Sequence, residues 1–513
     1  EMRDSIRANT EFVEREVSRD EALKLVSGNP YKVEILEGIP ADEQVTFCSH
    51  AGGTFEDLCR GGHMERTGDI RAYKLLSSAG AYWRGDENNT MLQRIYGTAW
   101  ESRDAQKDYL KRREEAEKRD HRRLGRALGL FFFDPIAPAS PFFLPKGAVV
   151  MNSLINYVKE LYEKYGYQEV MSPQIFNTDL WKKSGHLEAY AENMYFVDVD
   201  DREFGVKPMN CPAAAMLYQA DSRSYRDLPL RWADFGRLHR NERSGVTQGL
   251  FRVRSMVQDD AHIFCTFDQI SGEISSFLEM LDEAYAALGF EKYRFELSLR
   301  PDKRVGSDEM WEQAEAILTE LLDTSGQEYT TEAGEGAFYG PKIDIFVPDA
   351  LGRDWQLGTV QLDFSLPERF DLEYAAEDGT RKRPVVIHRA MYGTLERFLG
   401  VLIEHLAGAF PLWMAPVQAV VVPIADRHNE FCHEIGTKLR AAGLRVEVDD
   451  SNDRMNSKIR QAQLQKVPYM LVVGDREIEA GAAAVRTRTG EDLGAIPVGE
   501  VVDMLTKQVA DKS

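Results

Sequence analysis

Three short segments far apart in the chain carry residues that ligate metals: Met209-Asn210-Cys211-Pro212, Gln258-Asp259-Asp260-Ala261-His262 and Ile387-His388-Arg389-Ala390. One thiolate and two imidazoles suit zinc, which takes nitrogen and sulfur donors in tetrahedral geometry and, with only three protein ligands, keeps one position for a substrate. Cys211 and His262 are 51 residues apart, and His262 and His388 are 126 apart. No compact finger has such spacing, so only a fold can bring the three together. By spacing alone, a buried thiol and two hydrogen-bonded histidines are the simpler reading. A second group suits phosphate chemistry. Asp234-Phe235-Gly236-Arg237-Leu238-His239-Arg240-Asn241-Glu242 leads through turn-rich Arg243-Ser244-Gly245 to the β-favouring Leu250-Phe251-Arg252-Val253-Arg254, a pattern that predicts strand, loop, strand. Arg240 then ends the first strand, where its guanidinium fork could meet an oxyanion. The plain alternative is a surface salt bridge to Glu242.

The elements that must position these groups follow from patterning. Residues 513 in number should form three or four domains with ample core. Residues 1–100 show a helical pattern (Ala22, Leu23, Leu25, Val26) and then strand-like runs such as Thr46-Phe47-Cys48 and Arg94 to Trp100. Residues 101–135 form a charged helical linker, 136–412 a central domain of helices and β-rich runs, and 413–513 a β-α-β-α-β unit whose alternation implies a parallel or mixed sheet. Within the central domain, Leu154, Val158, Leu161 and Tyr162 recur at helical spacing before Tyr167-Gln168-Glu169-Val170 and Pro173.

No apolar run reaches the roughly 20 residues that span a bilayer, so no membrane is expected. Five cysteines without paired spacing imply a reducing compartment, with cytoplasm as the default. A formal charge of −21 argues against general nucleic-acid binding. Basic residues gather only locally, at Lys111-Arg112-Arg113 and Lys118 to Arg123, where a solvated helix face is the plain reading. The chain opens at Glu1, which implies a fragment or a processed product.

The strand-loop-strand with Arg240 resembles the ATP-cradling hairpin of class II aminoacyl-tRNA synthetases. Gly393-Thr394-Leu395-Glu396-Arg397-Phe398 resembles their third motif, and Gly147 to Pro173 resembles the first, at a homodimer interface. With the Cys211, His262 and His388 trio, the resemblance narrows to the threonyl-tRNA synthetase family over nearly all of the chain. It implies an α/β multidomain fold: a class II antiparallel-sheet catalytic domain over 136–412, a C-terminal α/β anticodon-binding domain over 413–513, and a partial N-terminal α+β editing domain over 1–100, the usual chain's N-terminal part being absent.

The same resemblance implies ligation of L-threonine to tRNA(Thr) through threonyl-adenylate, with ATP, Mg2+ and one Zn2+ per subunit. Arg240 would hold the α-phosphate, Glu242 would accept from the adenine amino group and Arg397 would stack on the purine. Arg252 falls at a further ATP position. Zinc on Cys211, His262 and His388 would bind the amino group and hydroxyl of threonine, with Asp260 accepting from the hydroxyl. Asp259 and Asp260 could otherwise be a loop-capping pair. In Phe338-Tyr339-Gly340-Pro341-Lys342-Ile343-Asp344, Tyr339 and Lys342 would line the amino-acid and phosphate side. Gln258, Gln356 and Gln361 fall at further pocket positions. His186, in Ser184-Gly185-His186, would assist transfer to the terminal ribose. Glu477 and Arg486 would read the anticodon from strands. Cys59 and His63 match the Cys-x-x-x-His element of the editing domain. Its companion His-x-x-x-His pair does not occur among the ten histidines, Gly62 replaces an expected proline, and Met256 stands where an aromatic would flank adenine. Two other classes remain open on sequence: a synthetase-derived RNA-binding protein that performs no ligation, and a sibling enzyme for serine or proline. Arg240, Arg397, Lys342 and the three metal ligands together argue against the first, since a pure binder needs no adenylation site, and the metal trio with Asp260 argues against the second.

Overall fold

The computed structural model describes residues 1–512 except 87, 305, 338 and 350. It divides into two compact units, Glu1–Glu115 and Ala116–Ser513.

An eight-stranded sheet runs through the larger unit in the order Tyr329–Glu332, Arg294–Ser298, Lys342–Pro348, Asp354–Asp363, Val385–Ala390, Ala261–Cys265, Leu230–Ala233, Gln168–Glu169. Only the outermost pair at each end is parallel; the inner strands are antiparallel. Antiparallel register puts Trp232 opposite His262, His262 opposite His388, His388 opposite Gln361, and Gln361 opposite Lys342. Directly opposed residues share a face of the sheet, so one lateral row carries two imidazoles, a carboxamide and an ammonium on the same side. Their neighbours in sequence, Ile263, Ile387, Leu362 and Ile343, point the other way by the two-residue period and are buried in the main core. The helices Pro145–Lys164, Ile270–Ala286, Asp308–Ser325 and Leu395–His405 each add buried residues to that core.

The helix Pro145–Lys164 shows why the apolar stripe is legible. Proline opens it, where the missing N–H costs nothing, and Val150, Leu154, Val158, Leu161 and Tyr162 are buried at three- and four-residue steps. Gly147 sits where an added Cβ would lie 1.9 Å from the Leu130 carbonyl oxygen, so the close approach requires glycine. On the opposite side of the sheet, the helix Cys211–Gln219 packs Ala214, Ala215 and Tyr218 against Phe264 and Val386 in a separate core. That packing anchors Cys211 at the helix's first turn.

The expected hairpin forms, but its second strand is not Leu250–Arg254. Arg237–His239 pairs with Ser255–Val257 instead. The 250–254 backbone is used in a turn: Phe251 N–H donates to Gln248 O at 2.9 Å, Gln248 bridges Arg252, and Gly249 has φ +50°. β propensity yields there to the demand for a loop.

The C-terminal residues form a five-stranded mixed sheet, Val446–Val448, Ala419–Pro423, Tyr469–Val473, Ala482–Thr487, Asp492–Pro497, the first three parallel and the rest antiparallel. A second expectation fails here. Glu477 is not on a strand but in the helix Asp475–Ala480, because Gly474-Asp475-Arg476-Glu477 closes on itself: the Gly474 N–H donates to Glu477 Oε2 at 2.9 Å. An acidic residue three positions into a helix caps the orphan donors of its first turn.

In the smaller unit, Val13–Val17, Val45–His50 and Phe55–Cys59 form an antiparallel sheet over a small core of Ala22, Val26, Leu36, Val45 and Phe47. A long hairpin, Ala72–Tyr82 with Met91–Trp100, follows. Among the described residues, no helix is long and apolar enough to cross a membrane.

Candidate active site

The fold brings Cys211, His262 and His388 together, with one donor atom from each lying within 4.8 Å of the others. Two come from facing positions on adjacent strands and the third from the helix start above them. The His388 Nε2 pairs with Asp363 Oδ2 at 2.9 Å, which leaves its other ring nitrogen for a ligand, and His262 Nε2 is buried without a hydrogen-bond partner. Burial raises the Cys211 thiol, but His388 and His262 outweigh it and bring it down to about 7. Burial likewise opposes charge on His388, yet Cys211 and the Asp363 hydrogen bond hold it well above its ordinary value. A thiolate and imidazoles that stabilise one another's charge in a buried site are a donor set competing for protons, and metal binding displaces such protons. The residues therefore fit zinc with one open position.

Cys211 and His388 line a cavity of about 270 Å3 with His186, Met209, Tyr339, Asp363 and Arg369 among its other walls. The Tyr339 hydroxyl donates to Gln361 Oε1, beside His388 on the lateral row. Asp260 is held by Asn210, whose Nδ2 donates to Oδ2 at 3.0 Å and also to the Asp234 carbonyl at 3.2 Å. Asp259 has a different job. It is fully buried and accepts from Met391 N at 2.7 Å and Tyr392 N at 3.1 Å, so it caps the loop after His388. The capping alternative thus applies to Asp259 alone. His186 Nδ1 lies 2.8 Å from Ser184 Oγ, and burial lowers the ring to about 4, so it is neutral across physiological pH.

A second cavity, about 400 Å3, is lined by Arg240, Glu242, Arg252 and Arg397 together with Phe251, Met256, Trp355 and Thr394. Arg252 Nη2 pairs with Glu242 Oε2 at 2.8 Å, and Arg240 Nε donates to the Pro208 carbonyl at 3.3 Å. Arg397 is largely buried, its Nε lacks a partner, and its guanidinium lies 5.9 Å from the Trp355 ring centroid. Gln258 Nε2 reaches Thr394 Oγ1 at 3.4 Å at the cavity's edge. Three arginines around one opening with two aromatic rings suit an anionic, planar ligand.

Lys342 lies on the same row as Gln361 but pairs with buried Asp344 at 2.7 Å. Gln356 is exposed and lines neither cavity. Phe338 falls outside the described residues. Arg486 lies on the strand Ala482–Thr487, 3.2 Å from Asp492, whereas Glu477 is on the helix Asp475–Ala480. Cys59 and His63 come together in the smaller unit, and Cys48, which had no expected role, joins them. Asp363, Asn210, Phe251 and Trp355 were also missed. Of these only Asp363 had a usable signal, two residues beyond Gln361 and so on its face of the strand.

The chain is similar to known proteins along its whole length. Residues 195–406 match the tRNA synthetase class II core domain (G, H, P, S and T), 418–508 the anticodon binding domain, and 45–96 the threonyl and alanyl tRNA synthetase second additional domain. A threonine–tRNA ligase of Thermotoga neapolitana is 50% identical over 513 residues, covering 100% of this chain and 80% of the relative, and one of Alkalilimnicola ehrlichii is 51% identical over 501 residues, covering 97% and 78%. The crystal structure of the RNA binding domain of threonyl-tRNA synthetase from Cryptosporidium parvum superposes with a TM-score of 0.73 at 43% identity, covering 76% of this chain and 98% of that one. With a class II core, an anticodon-binding domain and relatives matched at half identity along its full length, the chain belongs to the threonine–tRNA ligase family.

Proposed function

We propose that the chain activates L-threonine with ATP as threonyl-adenylate and transfers the threonyl group to tRNA(Thr), with zinc on Cys211, His262 and His388 selecting the amino acid. The observation that carries this reading is the meeting of those three donors at a cavity that Tyr339 and His186 also line. When bound, zinc would supply Lewis-acid coordination to the amino group and hydroxyl of threonine beyond its three protein ligands. The protein does the remaining work. Asp260, fixed by Asn210, accepts from the threonine hydroxyl. Arg240 spreads donors over the α-phosphate as charge develops, and Arg397 covers the purine. Glu242 exchanges Arg252 for the adenine amino group. Lys342 offers a point charge toward phosphate once it turns from Asp344. Magnesium accompanies the phosphates. Glu477 and Arg486 remain the proposed anticodon readers, with Glu477 required to leave its helix cap. The cytoplasm and a homodimer complete the reading.

Valine has the shape of threonine, and a difference of one methyl group gives only about 1–3 kcal/mol, whereas a site built for a hydroxyl rejects its absence by roughly 10⁴-fold or more. Serine keeps the hydroxyl. Aminoacylation of tRNA(Thr) transcript with threonine, serine, valine and proline tests the proposal: threonine should be fast, serine slower and valine nearly silent. Equal charging with valine, or preference for proline, would reject it.

Two further results are expected. Asp363→Ala removes the carboxylate that orients His388 and should weaken zinc by about 10- to 100-fold, as such supporting partners do elsewhere; an unchanged zinc affinity in competition with a chelator would dismiss that role. His186→Ala should leave pyrophosphate exchange intact and slow transfer to tRNA by on the order of 10²-fold. Because burial lowers His186 to about 4, it is already deprotonated above about pH 5, and the wild-type transfer rate should show no His186 titration between pH 6 and 8. Single-turnover transfer from preformed adenylate measures both.

A further inference from the structure

On the reading of the cavity lined by Arg240 and Arg397 as the ATP site, we infer that His121 is a positioning residue for the nucleotide: buried behind that cavity, it fixes two aromatic rings and a turn that form one wall. His121 belongs to the basic run Lys118 to Arg123, yet it is buried where Arg122 and Arg123 are exposed.

The contacts form a closed circuit. His121 opens the helix His121–Ala127. Its Nδ1 meets Glu404 Oε1 at 2.7 Å, and the same oxygen accepts from the His121 backbone N–H at 3.0 Å. Glu404 Oε2 accepts from Arg353 Nη2, Arg353 Nε donates to Asp349 Oδ2 at 2.7 Å, and that oxygen also accepts from Trp355 Nε1 at 2.9 Å. The Trp355 ring lies 4.3 Å from the Phe251 ring by centroid, and Phe251 lies 4.2 Å from the His121 ring, which closes the circuit. Phe251 and Trp355 face the cavity, while His121, Glu404 and Asp349 stand buried behind them.

The imidazole also holds the turn that carries Phe251 and Arg252. The buried Leu250 N–H donates to His121 Nε2 at 3.0 Å, so the ring's own proton sits on Nδ1 and points at Glu404. Both nitrogens are committed. Donor atoms of Asp120, His121 and Glu404 lie within 4.8 Å of one another, but with no free imidazole nitrogen they hold the turn rather than a metal. The seat is close: a Cβ added to Gly249 would lie 2.3 Å from His121 Nε2. Loss of the ring strands the Leu250 N–H, and a buried donor without a partner favours another backbone path. The turn and both rings then lose the placement that a bound nucleotide needs.

The test uses the full zinc-loaded chain in threonine-dependent pyrophosphate exchange with ATP varied. His121→Ala should raise the ATP KM about 10-fold and leave kcat, the threonine KM and zinc content within about three-fold. A merely structural defect would lower the active fraction instead, so kcat would fall at an unchanged ATP KM. His121→Gln, whose carboxamide oxygen can take the Leu250 N–H as Nε2 does, should return the ATP KM to within about three-fold of wild type, whereas His121→Asn, which keeps a donor for Glu404 but stops short of Leu250, should not. Arg353→Lys, at a half-buried side chain, guards against a His121 variant that fails to fold. One ammonium cannot bridge Asp349 and Glu404 as the fork does, and the ATP KM should rise by about three- to ten-fold. An unchanged ATP KM in His121→Ala and Arg353→Lys, or a rise in His121→Gln equal to that in His121→Ala, would overturn the inference. Equilibrium ATP binding by the unaltered chain separates it from the proposed function: no binding there would overturn both, and binding with unaffected variants would overturn the role of His121 alone.

Discussion

Cys211→Ala is expected to reduce threonine-dependent pyrophosphate exchange by about 10³-fold or more, because it opens the metal triad and removes the means of demanding a hydroxyl, a demand worth roughly 10⁴-fold in selectivity. ATP affinity should stay within about three-fold, since the cavity with Arg240, Arg252 and Arg397 shares no lining residue with the one that holds Cys211 and His388. The fold should survive. Cys211 stands at the first turn of its helix and is only half-buried, while Ala214, Ala215 and Tyr218 carry the packing. The informative comparison is the split between the two ligands: equilibrium binding of ATP against exchange with threonine. Exchange near the wild-type rate in zinc-depleted Cys211→Ala would remove the metal from the account of substrate choice.

Arg240→Ala should fail in the complementary way. Loss of one donor aimed at developing oxyanion charge costs on the order of 10²- to 10³-fold in rate, so exchange should fall by that amount while zinc content remains unchanged. Arg240→Lys should recover only part of the loss, because an ammonium cannot reproduce the planar fork. The structure makes the variant safe to interpret: Arg240 gives the Pro208 carbonyl one hydrogen bond at 3.3 Å, and its backbone N–H, which the substitution keeps, ties to the Arg254 carbonyl at 2.9 Å. A rate within a few-fold of wild type would reassign the α-phosphate contact, with Arg252 and Arg397 as the neighbouring cations.

These expectations rest on residues of unequal legibility. Spacing alone favoured hydrogen-bonded histidines at 262 and 388, and only the resemblance of their segments to the family made them legible as ligands; in the structure each adjoins a core isoleucine, Ile263 and Ile387. Their registration opposite one another could not be read, since pairing between strands 126 residues apart in sequence is fixed by the whole sheet. The stripe of Pro145–Lys164 was legible because helix period and burial coincide. Leu250–Arg254 misled because composition speaks for strand while Gly249 and the Gln248 carbonyl enforce a turn. Glu477 misled for a local reason: a residue type suited to reading bases is equally suited to capping a helix, and the Gly474 N–H is three residues away.

Phe251 and Trp355 were invisible for another reason. Met256 occupies the place expected for an aromatic, yet the same cavity receives two rings from elsewhere, 4.3 Å apart by centroid. No spacing rule connects residues 104 positions apart in the chain. Asn210 is similar: its amide serves Asp260 across 50 residues. Such supporting contacts decide how firmly a functional side chain is held, and they emerge only when strands and loops are in place.

The most direct test of zinc-dependent threonine selection is stepwise removal and return of zinc, with exchange measured at each occupancy for threonine, serine and valine. Rates with threonine and serine should rise and fall in proportion to metal at Cys211, His262 and His388, and valine should stay near background throughout. Threonine exchange that persists in the metal-free chain, or valine exchange that matches it in the zinc-loaded chain, would contradict the assignment.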